Sequence, residues 1–285
     1  MTKLENKVKG SLYAFAIGDA MGATTEFLTR DQIKKTYGSV DDIIGGGWLH
    51  LKRGQVTDDT QMMICVYEGM RGRPTDKAEP GYYGTLDNIC QKFREWADSN
   101  PPDIGNTCRA AIYSSPNTNY FSWIEANEYR QQTHGIYDYG NGGVMRCLVP
   151  ALMGNQVLTL DQAYITHTND FTQQYTDVYY YHLNKALFTE KPLVERKLRE
   201  PSGYIKNTVY NAVEWFRATG SIEAALIGAV NDGGDADTIA ALTGGLAGAY
   251  YGYTSIPERW IKHLDPEVRV KLNEITQYIL KNMTE

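Results

Sequence analysis

The feature that most limits how this chain can fold is a segment at residues 239–252 that is apolar on nearly every side of a helix. Its apolar residues are Ile239, Ala240, Leu242, Leu246 and Ala247. Glycines recur there at every fourth position, at Gly244, Gly248 and Gly252. A helix without a polar face is buried, and small residues spaced by four allow a neighbouring backbone to approach closely. The sequence therefore predicts a central, buried helix with close neighbours.

Two acidic clusters of similar composition lie far apart in the sequence, and one of them directly precedes this helix. Their oxygen-bearing side chains are Thr57, Asp58, Asp59, Thr60, Asp235, Asp237 and Thr238. The cluster at residues 57–60 also precedes an apolar segment, which contains Met62, Met63, Val66 and Met70. Both clusters are therefore expected at helix N-termini, where the helix dipole stabilises negative charge. Two such ends that face each other would form a preorganised site for a cation.

Helix capping is the alternative interpretation of these clusters, because Asp and Thr are preferred N-cap residues. A single cluster would favour capping, whereas two of the same kind favour a shared metal site. Carboxylate and hydroxyl oxygens suit Mg²⁺, Mn²⁺ or Ca²⁺, and without a cation the carboxylates would raise one another's pKa. An EF-hand is excluded, because a loop that starts at Asp235 has neither Gly at its sixth position nor Glu at its twelfth. A phosphate-binding P-loop motif is also absent from the sequence.

The rest of the sequence shows helical periodicity almost throughout. Apolar residues recur at helical spacing in four further segments: Leu4, Val8, Leu12 and Phe15; Leu86, Ile89, Cys90, Phe93, Trp96 and Ala97; Ile205, Val209, Val213 and Phe216; and Val268, Leu272, Ile275 and Ile279. The first of these is expected to end tightly over residues 18–22, and the last to start at Asp265 and Pro266. Alternating strand patterns are scarce, so the fold class predicted is all-α. Without an interdomain linker or a repeat, we expect one compact domain over residues 1–285.

Composition and charge argue against a nucleic-acid-binding or membrane protein. The chain has 285 residues, a net charge of −6 and a pI near 5.5, which argue against a nucleic-acid-binding surface. Four cysteines stand singly without metal-site spacing, as expected for reduced thiols in a cytoplasmic protein. We expect no signal peptide at residues 1–10, and the apolar stretch at 12–23 is too short to span a bilayer. Neither a membrane nor a nucleic acid is therefore expected as a partner.

Two further residues have an ordinary interpretation when they are taken alone. Glu26, near the end of the first helix, resembles an ordinary surface acid. His167 resembles a polar residue whose hydrogen bonds are satisfied within the protein. Residue chemistry alone assigns no function to them, nor to Asp103 behind the Pro101-Pro102 break.

Several motifs together give the sequence a resemblance to a known family. They are Gly18-Asp19-Ala20-Met21-Gly22 with Glu26-Phe27, Thr57-Asp58-Asp59-Thr60-Gln61-Met62, Gly140-Asn141-Gly142-Gly143-Val144-Met145-Arg146, Ser202-Gly203-Tyr204-Ile205 with Trp215, and Asn231-Asp232-Gly233-Gly234-Asp235-Ala236-Asp237-Thr238 with Leu246-Ala247-Gly248-Ala249. In this order they resemble the ADP-ribosylglycohydrolase family and cover most of the chain. Residues 103–107 resemble most the branch that includes dinitrogenase reductase-activating glycohydrolase and the ADP-ribosylarginine hydrolases.

The resemblance implies an all-α fold with a binuclear Mg²⁺ or Mn²⁺ centre that removes ADP-ribose from modified proteins. Its implied metal ligands are Thr57, Asp58, Asp59, Asp235, Asp237 and Thr238. Glu26 would lie beside the metals, as a ligand through water or as a general base, and Asp103 would face the scissile bond and pair with a guanidinium. The residues implied to line the ADP-ribose groove are Gly105, Asn106, Asn141, Gly142, Gly143 and His167. Tyr204 would stack on the adenine, and backbone N–H groups of the glycine loop would hold the diphosphate.

The leading interpretation is therefore a metal-dependent hydrolase of ADP-ribosyl-arginine in proteins, with ADP-ribose as the product. One alternative keeps the fold but changes the bond, to ADP-ribosyl-serine, O-acetyl-ADP-ribose or a small molecule. The other is a protein that binds ADP-ribose without catalysis, although the acids that such a protein would lack are present here. The modified target, the choice of Mg²⁺ or Mn²⁺ and the oligomeric state stay open.

Overall fold

The chain folds into packed helices. The computed structural model describes residues 1–134, 139–189 and 195–283. In these ranges the α-helices are α1 (Lys3–Gly22), α2 (Arg30–Tyr37), α3 (Asp58–Met70), α4 (Tyr82–Asp98), α5 (Asn106–Ile112), α6 (Tyr120–His134), α7 (Leu148–Leu152), α8 (Gln156–Tyr164), α9 (Asp170–Phe188), α10 (Ile205–Arg217), α11 (Ile222–Val230), α12 (Ala236–Tyr251), α13 (Glu258–His263) and α14 (Pro266–Asn282). Extended pairing in the same ranges is limited to isolated bridges. The predicted all-α class is confirmed.

Helices α1 and α12 form the centre of the fold and run antiparallel in direct backbone contact. A Cβ atom on Gly18 would lie 2.2 Å from the carbonyl oxygen of Ala240, and one on Gly248 would lie 2.1 Å from that of Gly10. Any side chain at these positions would therefore push the two helices apart. Residues 236–249 of α12 are buried throughout. The prediction of a central buried helix with close neighbours is confirmed.

The first helix ends within the range predicted for it. Helix α1 ends at Gly22, and residues 18–21 belong to its last regular turns. A Cβ atom on Gly22 would lie 2.4 Å from the carbonyl oxygen of Ala236. The glycines in this segment thus serve close packing against α12, a role that their sequence alone does not distinguish from helix termination.

The other helical patterns are found where the sequence predicts them. These patterns form α4, α10 and α14. Their apolar residues pack into the core of the protein, where Trp96 and Val268 are only partly buried. At the start of α14, the Asp265 carboxylate accepts a hydrogen bond of 2.7 Å from the N–H of Glu267, and Pro266 takes the first helical position. None of the helices in the described ranges is both long and apolar enough to cross a lipid bilayer.

The antiparallel pairing of α1 and α12 determines where the acidic residues lie. It places the C-terminal end of α1, which leads to Glu26, beside the N-terminal end of α12, which carries Asp237. The N-terminal end of α3 is attached to α1 by hydrogen bonds from Thr57 and Thr60 to Asp19. Three helix ends therefore converge on one point of the surface.

Candidate metal and substrate site

The two acidic clusters meet in one cleft of about 370 Å³. Asp58, Asp235, Asp237 and Thr238 line it together with Glu26. One carboxylate oxygen from each of Glu26, Asp235 and Asp237 lies within 4.8 Å of the other two. Helices far apart in sequence thus bring the predicted acids together.

Asp59 lies beneath the cleft and links the two clusters. Its Oδ2 accepts hydrogen bonds from the hydroxyls of Thr57, at 3.1 Å, and Thr238, at 3.4 Å. Its Oδ1 is buried and has no hydrogen-bond partner. Such an oxygen is costly in a protein interior unless something else satisfies it. A cation held between the clusters would do so.

Burial raises the pKa of every carboxyl group in this cluster, and neighbouring acids add to the effect. The pKa of Glu26 is raised to about 8, that of Asp58 to about 7 and that of Asp235 to about 6. The pKa values of Asp59 and Asp237 lie well above the ordinary value. The described residues that line the cleft include no Lys or Arg to neutralise them. An all-oxygen donor set with excess negative charge fits Mg²⁺ or Mn²⁺.

Asp19 is a site residue to which the sequence analysis assigned no role. Its side chain is fully buried in α1, and its two oxygens accept hydrogen bonds from the N–H groups of Thr57, at 2.9 Å, and Thr60, at 3.0 Å. It therefore caps α3 from a distant helix and fixes the backbone that carries Asp58 and Asp59. Neither hydrogen bond is local in sequence, so the pattern around residue 19 could show only a polar residue in an apolar helix.

We expect Asp19→Asn to weaken metal binding about 10- to 100-fold, as for other residues that orient metal ligands. An Asn side chain offers one acceptor oxygen, so either Thr57 or Thr60 loses its partner. Calorimetric titration with Mn²⁺ measures the change. Asp265→Asn is the matched control, because it alters a capping Asp outside the cleft. Equal Mn²⁺ affinities for Asp19→Asn and Asp265→Asn would contradict the assignment.

The segment at residues 103–106 forms a second wall of the cleft. Asp103 is partly buried there, and burial raises the pKa of its carboxyl group. The N–H of Gly105 donates to Oδ2 of Asp58 at 3.2 Å, which ties this wall to the first acidic cluster. Asn106 also lines the cleft and is exposed. Asp103 thus lines the same cleft as the candidate metal ligands, and its predicted contact with a guanidinium stays a prediction.

The glycine loop at residues 140–143 forms a third wall. The Asn141 side chain donates to Oδ2 of Asp235 at 2.6 Å, and its backbone N–H donates to Gly203 O at 3.0 Å. The N–H groups of Asn141 and Gly105 are thus both committed to protein acceptors and are not offered to a phosphate. Gly142 lines the cleft, whereas Gly143 is buried behind it against Ala163.

His167 and Arg146 support this loop from behind. His167 lines the cleft but is almost fully buried, and its Nδ1 lies 2.8 Å from the Thr166 hydroxyl oxygen. Burial, and then the charges of Arg146 and Arg130, lower the pKa of His167 to about 3, so its ring is neutral at physiological pH. Arg146, which the sequence analysis did not single out, donates to Gly142 O at 2.7 Å and to the Thr166 hydroxyl at 2.8 Å. It therefore fixes the loop and the histidine together.

Tyr204 lies next to the glycine loop but not in the described lining of the cleft. Its exposed ring stacks on Phe171, with centroids 5.5 Å apart and planes inclined by 26°. An isolated bridge to Gly140 attaches it to the loop. Its predicted contact with adenine stays a prediction.

Two aromatic residues outside the predicted set also line the cleft. The indole N–H of Trp48 donates to Oε2 of Glu26 at 2.6 Å, and the ring of Phe27 lies against Trp48. Trp48 follows three glycines, where the sequence suggests only a loop. The one feature of the sequence that could have indicated a role for Trp48 is the presence of a tryptophan in a glycine-rich loop.

Comparisons with known proteins show which family the chain belongs to. The model of the ADP-ribosylglycohydrolase family matches residues 1–187 and 150–285. The chain is 34% identical over 304 residues to ADP-ribosyl-[dinitrogen reductase] glycohydrolase of Rhodospirillum rubrum, which covers 97% of this chain and 96% of that protein. It is 29% identical to ADP-ribosylarginine hydrolase Tri1 of Serratia proteamaculans, over 93% of this chain and 77% of that protein. A solved ADP-ribosylglycohydrolase-related protein complex superposes with a TM-score of 0.72 at 25% identity, covering both chains in full.

Proposed function

The chain belongs to the ADP-ribosylglycohydrolase family, a family of hydrolases, and we propose that it cleaves the N-glycosidic bond between ADP-ribose and arginine in modified proteins. The observation that carries this proposal is the position of Asp103, a partly buried carboxylate in the wall of the acidic cleft, whose described lining contains no Lys or Arg. A carboxylate in a partly dry site binds a guanidinium strongly and with defined geometry. The names of the Serratia proteamaculans and Pseudomonas putida relatives, ADP-ribosylarginine hydrolase Tri1, support the arginine linkage.

The two acidic clusters are the proposed metal site. Two Mg²⁺ or Mn²⁺ ions would be held by Thr57, Asp58, Asp59, Asp235, Asp237 and Thr238. When bound, such ions supply positive charge that orients ribose hydroxyls and makes a water more acidic. Glu26 would accept the proton of the attacking water, because its carboxylate lies beside Asp235 and Asp237. The Trp48 indole N–H holds the Glu26 carboxylate in this orientation.

Asp103 is the proposed contact to the leaving group. Cleavage of the glycosidic bond develops positive charge on the sugar and returns electrons to the guanidine. The Asp103 carboxylate would orient the guanidinium by hydrogen bonds before cleavage. As the C–N bond breaks and the water oxygen bonds the sugar, the departing guanidine would take up the proton that the water gives up, through Glu26 or Asp103. Gly105, Asn106 and the loop at 140–143 would hold the rest of ADP-ribose, with His167 as a neutral hydrogen-bonding group. Tyr204 would contact the adenine.

Peptides that carry ADP-ribose on a single arginine or a single serine test the linkage. We expect release of ADP-ribose from the arginine-linked peptide, and a loss of about 10²–10⁴-fold in kcat/KM for Asp103→Asn on it, the range for groups that assist proton transfer or charge development. Asp98→Asn is the control, because Asp98 bonds Tyr113 outside the cleft. Faster turnover of the serine-linked peptide by the wild-type protein would overturn the proposed linkage.

A reducing compartment fits the cysteine content. All four cysteines are buried and free, and burial raises the pKa of each thiol. We therefore propose that the protein acts in the cytoplasm on ADP-ribosylated proteins.

A further inference from the structure

An exposed aromatic pair stands at the edge of the acidic cleft. The rings of Phe27 and Trp48 have centroids 5.4 Å apart and are inclined by 49°. Phe27 is 65% exposed and Trp48 is 48% exposed, although both line the cleft. Rings left this open contribute little to burial of apolar surface. The stability of the fold therefore does not account for them.

The backbone of Phe27 is held in a conformation that aromatic residues rarely adopt. Its φ is 62°, in the left-handed region that favours glycine. Two hydrogen bonds hold it there, from the N–H of Phe27 to Gly234 O at 2.7 Å and from the N–H of Gly234 to Leu28 O at 2.9 Å. Strain of this kind concentrates at sites where a side chain must be presented in a fixed way. Here it holds the residue that follows Glu26 against Gly234, the residue that precedes Asp235, while the ring lines the cleft.

The acidic residues around the aromatic pair favour a positively charged ligand. Glu26 and Asp103 line the same cleft, and the described lining includes neither Lys nor Arg. Neither of these two acids is a proposed metal ligand, and a carboxylate binds a cationic side chain directly. Aromatic faces attract cations too, guanidinium groups most often. A planar cation can stack on a ring while its N–H groups bond a carboxylate.

We propose that Phe27 and Trp48 form a subsite for the target polypeptide, in which the cationic arginine side chain that carries ADP-ribose lies against the two rings and reaches Asp103. This inference rests on the proposed function and adds the residues that recognise the protein part of the substrate. In this inference Phe27 contacts only the target polypeptide and not the ADP-ribose. Trp48 has a second contact, to Glu26, so Phe27 gives the cleaner test.

The experiment compares Phe27→Gly with Phe27→Tyr. Glycine removes the ring and adopts the positive φ without strain, so the melting temperature should stay the same or rise. Tyrosine keeps the ring and the strain. On the arginine-linked peptide we expect Phe27→Gly to raise KM about tenfold, the size of a partly desolvated cation–π contact, with a smaller change in kcat. Phe27→Tyr should keep the wild-type KM, and calorimetry should give the same Kd for free ADP-ribose in all three proteins.

The outcomes separate this inference from the proposed function. A KM of Phe27→Gly within about twofold of wild type, with the wild type active on the peptide, would overturn the subsite and leave the function standing. Equal losses of affinity for free ADP-ribose and for the peptide would also overturn it, because the ring would then act on the nucleotide side. An inactive wild-type protein on the arginine-linked peptide would overturn both.

Discussion

Asp59→Asn should lower kcat at least about 10³-fold, the effect of losing several kcal/mol of charge stabilisation at a metal site. It should also make the metal-free protein more stable. Asp59 links the two acidic clusters through Thr57 and Thr238 and carries the buried oxygen without a partner. Asn keeps the shape and the acceptor for these hydroxyls but removes the charge. Activity and stability are thus expected to change in opposite directions.

The sign of the stability change follows from the raised pKa of Asp59, which burial and then Asp19, Asp58 and Asp235 cause. At neutral pH the unfolded chain ionises this carboxyl group at no cost, whereas the folded protein must either keep the proton or bury the charge. Asn avoids both, so the free energy of unfolding without metal should rise by roughly 1–3 kcal/mol. Urea unfolding in EDTA measures this change.

The matched control for this variant is Asp31→Asn, an exposed acid in the first turn of α2. It should leave both kcat and stability close to wild type. An Asp59→Asn protein that is less stable than wild type without metal would contradict the account of the acidic cluster. Retained turnover would contradict the metal site itself.

The free energy of unfolding of the metal-free protein should fall by about 4 kcal/mol or more between about pH 5 and about pH 8. The pKa values of Asp235, Asp58 and Glu26 are raised to about 6, about 7 and about 8, mainly by burial. Between the ordinary value and the raised one, the folded protein binds more protons than the unfolded chain, so its stability falls as the pH rises. Each such group contributes up to about 1.4 kcal/mol per pH unit.

Saturating Mg²⁺ should remove most of this slope, because a bound cation keeps the carboxylates ionised in the folded state. Urea unfolding at several pH values, with Mg²⁺ and with EDTA, separates the two cases. The Asp59→Asn protein provides an internal check, since its slope without metal should be shallower than that of the wild type. A stability that is constant or rises with pH in EDTA would show that these carboxyl groups are not coupled as the structure implies.

The sequence predicts the parts of this protein that depend on local pattern. The burial of helix α12 could be predicted because apolar residues occupy all of its faces. Its glycines at every fourth position predicted close packing against a neighbouring backbone. The acids of both clusters could be chosen before the structure was known because each precedes an apolar helix. That they share one cleft was a hypothesis. The antiparallel contact of α1 with α12, together with the hydrogen bonds from α3 to Asp19, brings them together. The prediction of one domain over residues 1–285 stays a prediction.

Other parts of the site depend on contacts that no local pattern encodes. Asp19 caps α3 from 38 residues away, and Arg146 joins the glycine loop to Thr166 from within the core. Phe27 has a positive φ in a segment that is hydrogen-bonded to Gly234, more than 200 residues away in the sequence. In each case the partner is chosen by tertiary packing. The same limit applies to Gly18 and Gly22 near the end of α1, whose close contacts with the α12 backbone no local pattern shows.

The most direct test of the central claim is release of ADP-ribose from an arginine-linked, ADP-ribosylated protein by the wild-type enzyme in Mg²⁺, in Mn²⁺ and after EDTA. The acidic cleft predicts release with at least one of the two metals, no release in EDTA and recovery when the metal is returned. Release that is equally fast in EDTA would contradict a hydrolase built on the two acidic clusters. So would the absence of release with either metal.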